Sequence, residues 1–202
     1  LNKMPSIKNP AFPPGSLVLV SGANGFIGTH IVNLFIKEGY KVRGTVRDIQ
    51  KNAWLKDLFA HDVFELYALP DLTRAAAWQH ALEGVSAVVH AAGDTSFGPD
   101  AEAIIPLEVN AVKAAVEAAT ASSSVKRFVL TSSSIAAAFP QQDVDYKVAT
   151  WDFNEAAIEL AWKTSEDPAQ GVNVYAAAKA SAEKAMWDVA KTEGSVVFNS
   201  GE

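Results

Sequence analysis

The 202-residue chain contains no cysteine. That excludes a disulfide framework, a thiolate metal site and a cysteine nucleophile. It also lacks long apolar runs. Stretches such as Leu17–Val20 and Ala87–Val89 fall far short of the about 20 residues a membrane helix needs. No basic run is present: 17 Lys and Arg against 23 Asp and Glu give a net charge of −6. That balance argues against a nucleic-acid surface. The proline-bearing opening, Leu1–Gly15, has no apolar core and so no secretory pattern, and the expected location is the cytoplasm. What the chain does have is 49% hydrophobic and 20% charged residues. That mixture is neither disordered nor fibrous and can bury a sizeable core.

Short β-branched runs alternate with amphipathic stretches. Strands are expected at 17–20, 41–46, 63–69, 87–91 and 127–132, with a sixth at 195–198. Helices are expected over 25–39, 73–82, 104–121 and 173–192, from apolar residues recurring at helical spacing. Nearly continuous apolar strands alternating with helices predict an α/β fold, a doubly wound parallel sheet covered on both faces. The stretch 139–167 has no clear period and reads as an irregular excursion, placed over the active site. Ligands of such sheets bind beyond the carboxyl ends of the strands, where the winding reverses. Functional residues should therefore follow strands one, two, four and five.

The segment after strand one is Gly22-Ala23-Asn24-Gly25-Phe26-Ile27-Gly28. Its spacing is G-x-x-G-x-x-G rather than the commoner G-x-G-x-x-G. Gly22 suits a tight turn, Gly25 close approach of the backbone to a pyrophosphate, and Gly28 helix–sheet packing. The following helix terminus offers N–H groups to phosphates. Asn24, Phe26 and Ile27 belong to the same dinucleotide loop. Strand two ends in Arg47, with Lys51 four residues on. A guanidinium can stack on adenine and clamp a 2′-phosphate, and an ammonium adds a point charge. NADP is therefore expected over NAD, although Asp48 can reach a ribose hydroxyl.

Tyr175 and Lys179 form Y-x-x-x-K near the start of the last helix. The spacing alone is weak, since chance gives it in about one such chain in four. Its placement beside the cofactor cleft strengthens it, and residues four apart share a helix face. A free phenol titrates near pH ~10, and a neighbouring ammonium favours its phenolate. The pair suits proton donation to a carbonyl oxygen while hydride reaches its carbon. Strand five ends in Thr131-Ser132-Ser133-Ser134, and one of these hydroxyls can hold the substrate oxygen. Spacing does not choose among them. His90 reads as a satisfied core histidine.

Together the glycine loop, the serine run and Tyr175-x-x-x-Lys179 resemble the extended short-chain dehydrogenase/reductase family. The chain is especially similar to fungal NADPH-dependent aldehyde and ketone reductases and to dihydroflavonol reductase-like enzymes. The matching stretches are 15–26, 39–47, 124–133 and 174–179. The resemblance implies a Rossmann fold and makes Ser133 the third catalytic residue beside Tyr175 and Lys179. It implies that Arg47 and Lys51 contact the 2′-phosphate and that Asp71 and Leu72 lie on the adenine side. His90-Ala91-Ala92 would pass the ribose and pyrophosphate, and Phe97 would stand in the substrate wall. Asn110 matches an active-site asparagine of other short-chain enzymes but not the nearer subfamily.

Two departures from that pattern stand out. Ser21 replaces the usual threonine and keeps the hydroxyl. After the last helix the family continues through a Pro-containing turn into a substrate-binding region, whereas here the sequence reads Gly194-Ser195-Val196-Val197-Phe198-Asn199-Ser200-Gly201-Glu202. The expected organisation is an N-terminal extension over 1–14 and an NADP-binding domain over 15–202, cut short at its C-terminus, with the substrate domain largely missing. The expected function is NADPH-dependent reduction of a small-molecule carbonyl substrate, or the cofactor-binding portion of that enzyme. No metal, nucleic-acid or membrane partner is expected. Two alternatives stand beside it: a non-catalytic NADP-binding protein on the same fold, and an NAD-bound epimerase or dehydratase.

Overall fold

The computed structural model describes residues 10–140, 142–163 and 168–201. Six strands, β1 (Leu17–Ser21), β2 (Lys41–Val46), β3 (Phe64–Ala68), β4 (Val85–His90), β5 (Arg127–Thr131) and β6 (Val197–Gly201), form one sheet in the order β3-β2-β1-β4-β5-β6. Every pairing is parallel. The winding reverses between β1 and β4, so the ligand crevice lies at the carboxyl ends of those two strands. The connecting helices are α1 (Phe26–Lys37), α2 (Trp54–Leu58), α3 (Ala75–Ala81), α4 (Ala101–Ala121), α5 (Ser134–Ala137), α6 (Glu155–Ala161) and α7 (Gln170–Ala190).

Alternation along the strands sorts the core into two layers. Leu19, Val88, Phe128 and Leu130 face α3, α4 and α7, where Trp78, Val112, Ala115, Ala182 and Met186 are buried. Val18, Val20, Val42 and Val89 face the other way, against Val32 of α1 and Leu55 of α2. Each fully buried aliphatic side chain contributes about 1.5–3 kcal/mol from area removed from water. Alanine-rich stretches of α4 and α7 let these helices lie close to the sheet and to each other. Phe12 joins the second layer, with its ring 5.4 Å from that of Tyr40, so the core takes in a residue placed by sequence in the N-terminal extension. Residues 1–9 of that extension lie outside the described residues.

Several boundaries differ from the sequence reading. The fourth strand starts at Val85 rather than Ala87: Ser86 interrupts the apolar run, yet its carbonyl accepts from the Lys126 amide at 2.9 Å. Helix α4 starts three residues before Ile104 because Asp100 caps it, accepting from the Ala103 amide at 3.1 Å. Pro106 then sits inside the helix, where it removes one backbone donor. The sixth strand is displaced to Val197–Gly201, in register with β5 from Arg127 opposite Val197 to Thr131 opposite Gly201. The stretch read as irregular contains α6. Asn154 caps α6 by accepting from the Ala157 amide at 3.0 Å, and it donates to the Ile135 carbonyl at 2.9 Å. Asn followed by Glu, Ala and Leu is a helix-start signal, carried here by a helix of seven residues, too short to show a longer period.

Candidate functional site

The loop after β1 stands open at the carboxyl edge of the sheet. Asn24, Gly25, Phe26 and Ile27 are exposed, while Gly28 is buried. Gly22 has φ +66° and sits so close to Ala92 that a Cβ would meet its Cα at 2.9 Å. A Cβ on Gly28 would overlap the carbonyl oxygen of Gly22. These two glycines therefore close the loop on itself and on the segment after β4. Gly25 is different. Its backbone is extended (φ −77°, ψ 162°) and open to any residue, so only its missing side chain matters. The first amides of α1 have no carbonyl partner within the helix, and two of the residues that carry them, Phe26 and Ile27, are exposed.

Ser21, at the end of β1, organises the crevice. Its Oγ accepts from the amides of Ala91 and Ala92, each at 3.0 Å, and lies 2.8 Å from His90 Nδ1. Both lone pairs of the hydroxyl are used, so its hydrogen goes to Nδ1 and the imidazole carries its proton on Nε2. Burial, together with the charge of Lys179, pushes His90 down to about 3. The ring is neutral, packed edge-on to Trp78 at 5.4 Å. The hydroxyl retained where the family has threonine is thus the anchor of the Ala91-Ala92 segment, a role the sequence alone did not reveal.

Arg47 follows β2 and is exposed. Its positive charge reaches Asp94, whose carboxyl lies below the usual range through hydrogen bonds to Ser96 and, to a lesser degree, through Arg47. Lys51 is exposed and pairs weakly with Asp48 at 4.0 Å. Asp48 Oδ1 accepts the amides of Gln50 at 2.9 Å and Lys51 at 3.2 Å, which commits that oxygen to its own turn. Asp71 similarly accepts from the Thr73 amide and hydroxyl, at 2.9 and 2.7 Å. The Leu72 carbonyl accepts from Trp78 Nε1 at 2.8 Å. Asp71 and Leu72 stand just beyond the end of β3, and the structure gives each a local structural task.

At the other side of the crevice, Lys179 Nζ donates to the Thr131 carbonyl at 2.8 Å, pinning α7 to the end of β5. Burial pushes the Lys179 ammonium below its ordinary range, with Glu108 and Glu183 opposing. Tyr175, one helical turn before, packs its ring on Phe97, centroids 4.8 Å apart. Ser133 opens α5, and its hydroxyl makes no capping bond to that helix. Ser132 Oγ instead donates to Glu183, which also accepts from Trp187 Nε1 at 3.1 Å. The two neighbouring serines are thereby separated in role: one is tied to α7, the other is not spent on its own helix. A cavity of about 170 Å³ is lined by Ser132, Ser133, Asp152, Phe153 and Glu183, so the excursion does cover the end of β5. Glu108 and Glu183 escaped the sequence reading. Y-x-x-x-K-x-x-x-E was the available signal for Glu183, and Glu108 gave none beyond a charge in an apolar stripe.

The family model described as the NAD dependent epimerase/dehydratase family matches residues 18–200. Over 96% of its length the chain is 41% identical to the NAD-dependent epimerase/dehydratase terH of Aspergillus terreus, and over 91% it is 38% identical to aldehyde reductase 2 of Sporidiobolus salmonicolor. It spans 59% and 55% of those proteins' own lengths. The crystal structure of yeast methylglyoxal/isovaleraldehyde reductase Gre2 complexed with NADPH superposes with a TM-score of 0.76 and 30% identity, over 91% of this chain and 56% of that one. By sequence and by architecture, the chain belongs to the NAD dependent epimerase/dehydratase family, the extended short-chain dehydrogenase/reductases that its motifs resemble.

Proposed function

We propose that residues 15–202 are the NADPH-binding portion of a carbonyl reductase acting on a small aldehyde or ketone. The observation that carries this reading is the bond from Lys179 Nζ to the Thr131 carbonyl. It ties α7, which carries Tyr175 one turn before Lys179, to the end of β5, where the serine run begins. The residues present suit the cofactor: a loop that closes only with glycine at 22 and 28, an open helix N-terminus for the pyrophosphate, and exposed Arg47 and Lys51 for a 2′-phosphate. Ala91 and Ala92, held by Ser21, would border the ribose side, and Asp71 and Leu72 the adenine side.

When bound, NADPH supplies the hydride. Tyr175 donates its hydroxyl proton to the carbonyl oxygen, Ser133 holds that oxygen by a hydrogen bond, and Lys179 orients the ribose hydroxyls and favours the phenolate left behind. The product is the alcohol. The second reading, a dehydratase or epimerase with bound NAD, draws on the names of the matching family and of the Aspergillus relative. Arg47 and Lys51 weigh against it.

Titration with NADPH and NADH, followed by a panel of activated ketones, tests the proposal. NADPH should bind more tightly, and in an active form Tyr175→Phe should lower turnover by about 10²–10⁴-fold with cofactor affinity preserved. Tighter binding of NADH would favour the second reading. Near-normal turnover of Tyr175→Phe would remove the assigned mechanism.

A further inference from the structure

Helix α4 lays an apolar stripe on the core: Ile105, Val112 and Ala115 are buried. Glu108 lies on the same stripe and is itself only 6% exposed. Packing alone would be met by any apolar side chain there, and a buried carboxylate is costly unless it is engaged. Glu108 is engaged on two sides. Its Oε1 accepts from the Asp94 amide at 2.7 Å, and its Oε2 lies so close to Gly93 that a Cβ there would stand 3.0 Å away. The carboxylate is therefore wedged under the loop that continues Ala91-Ala92. The helix neighbours of Glu108, Ile105 and Val109, pack in one cluster with Ala177 and Ala178, the two residues before Lys179, and the carboxylate and the Lys179 ammonium act on each other electrostatically.

We propose that Glu108 is a positioning residue that couples the cofactor-side loop after β4 to Lys179, holding the loop through Asp94 and keeping the lysine charged. The inference rests on the cofactor reading given above. An ammonium has three donors, and Lys179 spends one on Thr131. A carboxylate nearby keeps the group charged despite burial, ready for ribose hydroxyls. Burial raises Glu108 above the usual carboxylate range, opposed by the Asp94 amide and by Lys179. The other groups facing Lys179 are Glu183 on its own helix, whose charge also supports the ammonium, and the neutral His90 of β4. Tyr175 precedes it by one turn.

The test is NADPH affinity against pH, read by cofactor fluorescence on the full chain in a Tyr175→Phe background, so that the phenol does not titrate. Glu108→Gln keeps an acceptor for Asp94 and removes the charge. Glu108→Met fills the volume without charge or acceptor; it leaves the Asp94 amide without its acceptor and takes one carboxylate from the buried Lys179, so a melt confirms that it is folded before binding is read. The Gln variant should match the parent at pH 6 and lose affinity on the alkaline side, its limb moved to lower pH by about one unit. The Met variant should show the same shift and, in addition, about tenfold weaker binding at every pH, which Gln restores. Folded variants whose profiles superimpose on the parent would overturn the inference and leave the cofactor reading standing. A parent that binds no NADPH would overturn both.

Discussion

The ring of Phe97 lies against the ring of Tyr175, centroids 4.8 Å apart and planes at 40°. The contact depends on a residue with no side chain. A Cβ on Gly171, in the first turn of α7, would overlap the Phe97 carbonyl oxygen, and Phe97 is held at φ +54°. A non-glycine residue in that region is strained by about 1–3 kcal/mol and persists only where its surroundings enforce it. Gly171→Ala should therefore push the Phe97 loop off α7 and free the Tyr175 ring. The expected result is a stability loss of about 1–3 kcal/mol, with turnover falling more than NADPH affinity. Thermal melts and steady-state kinetics on an active form check it. An unchanged kcat would show that the ring contact does not position Tyr175.

Gly25→Val separates two explanations for the glycine loop. The Gly25 backbone is extended, and a Cβ would stand 3.3 Å from the Gly22 carbonyl oxygen, so valine should be accommodated once that carbonyl gives by a few tenths of an ångström. The melting temperature should stay near that of the parent while NADPH binding is lost, because the new side chain fills space needed by the pyrophosphate. Titration of the folded variant decides this, and parental affinity would mean that the loop cradles no phosphate.

Arg47→Ala should lower the ratio of NADPH to NADH affinity. Arg47 is exposed at the end of β2, and loss of a charge-assisted phosphate contact costs about 1–3 kcal/mol, roughly 5- to 150-fold. The change should fall on NADPH alone. Equal weakening of both cofactors would instead place Arg47 on the adenine ring.

His90 makes stability depend on pH. Its folded pKa of about 3 lies below the 6.5 of an unperturbed imidazole. Between those values the unfolded chain binds a proton that the folded chain does not. Stability contributed by the neutral ring is complete above pH 6.5 and is lost as pH falls toward 3, with a slope on the order of 1 kcal/mol per pH unit. In His90→Asn, whose amide oxygen still accepts from Ser21, the slope over this window should decrease by one proton. Urea melts from pH 4 to 7 measure it, and an identical slope in both proteins would show that His90 does not govern acid stability.

The sequence determined the architecture because the parallel sheet rests on local signals: β-branched runs, a glycine turn at the first strand's end, helices at regular spacing. It also determined which residue types stand at the carboxyl edge, because strand ends can be counted along the chain. Arg47 is legible in this way, and Tyr175 and Lys179 through their four-residue spacing on a helix after strand five; within the serine run, Ser133 is singled out only by the family resemblance. What it left open were groups whose meaning comes from partners far along the chain. Ser21 meets His90 across 69 residues, Ser132 meets Glu183 across 51, and Lys179 meets Thr131 across 48. Nothing in the sequence marks Glu108, whose role comes from its bond to the Asp94 amide 14 residues away. The short helix α6 leaves no long apolar period in the sequence, since it packs through Ala157, Ala161 and the partly buried Ile158 alone among its seven residues. Local propensity and pattern decide where strands and helices run; only the tertiary structure decides which hydroxyl, carboxylate or ring is left facing the crevice, since that follows from burial and from hydrogen-bond partners brought together by the sheet order.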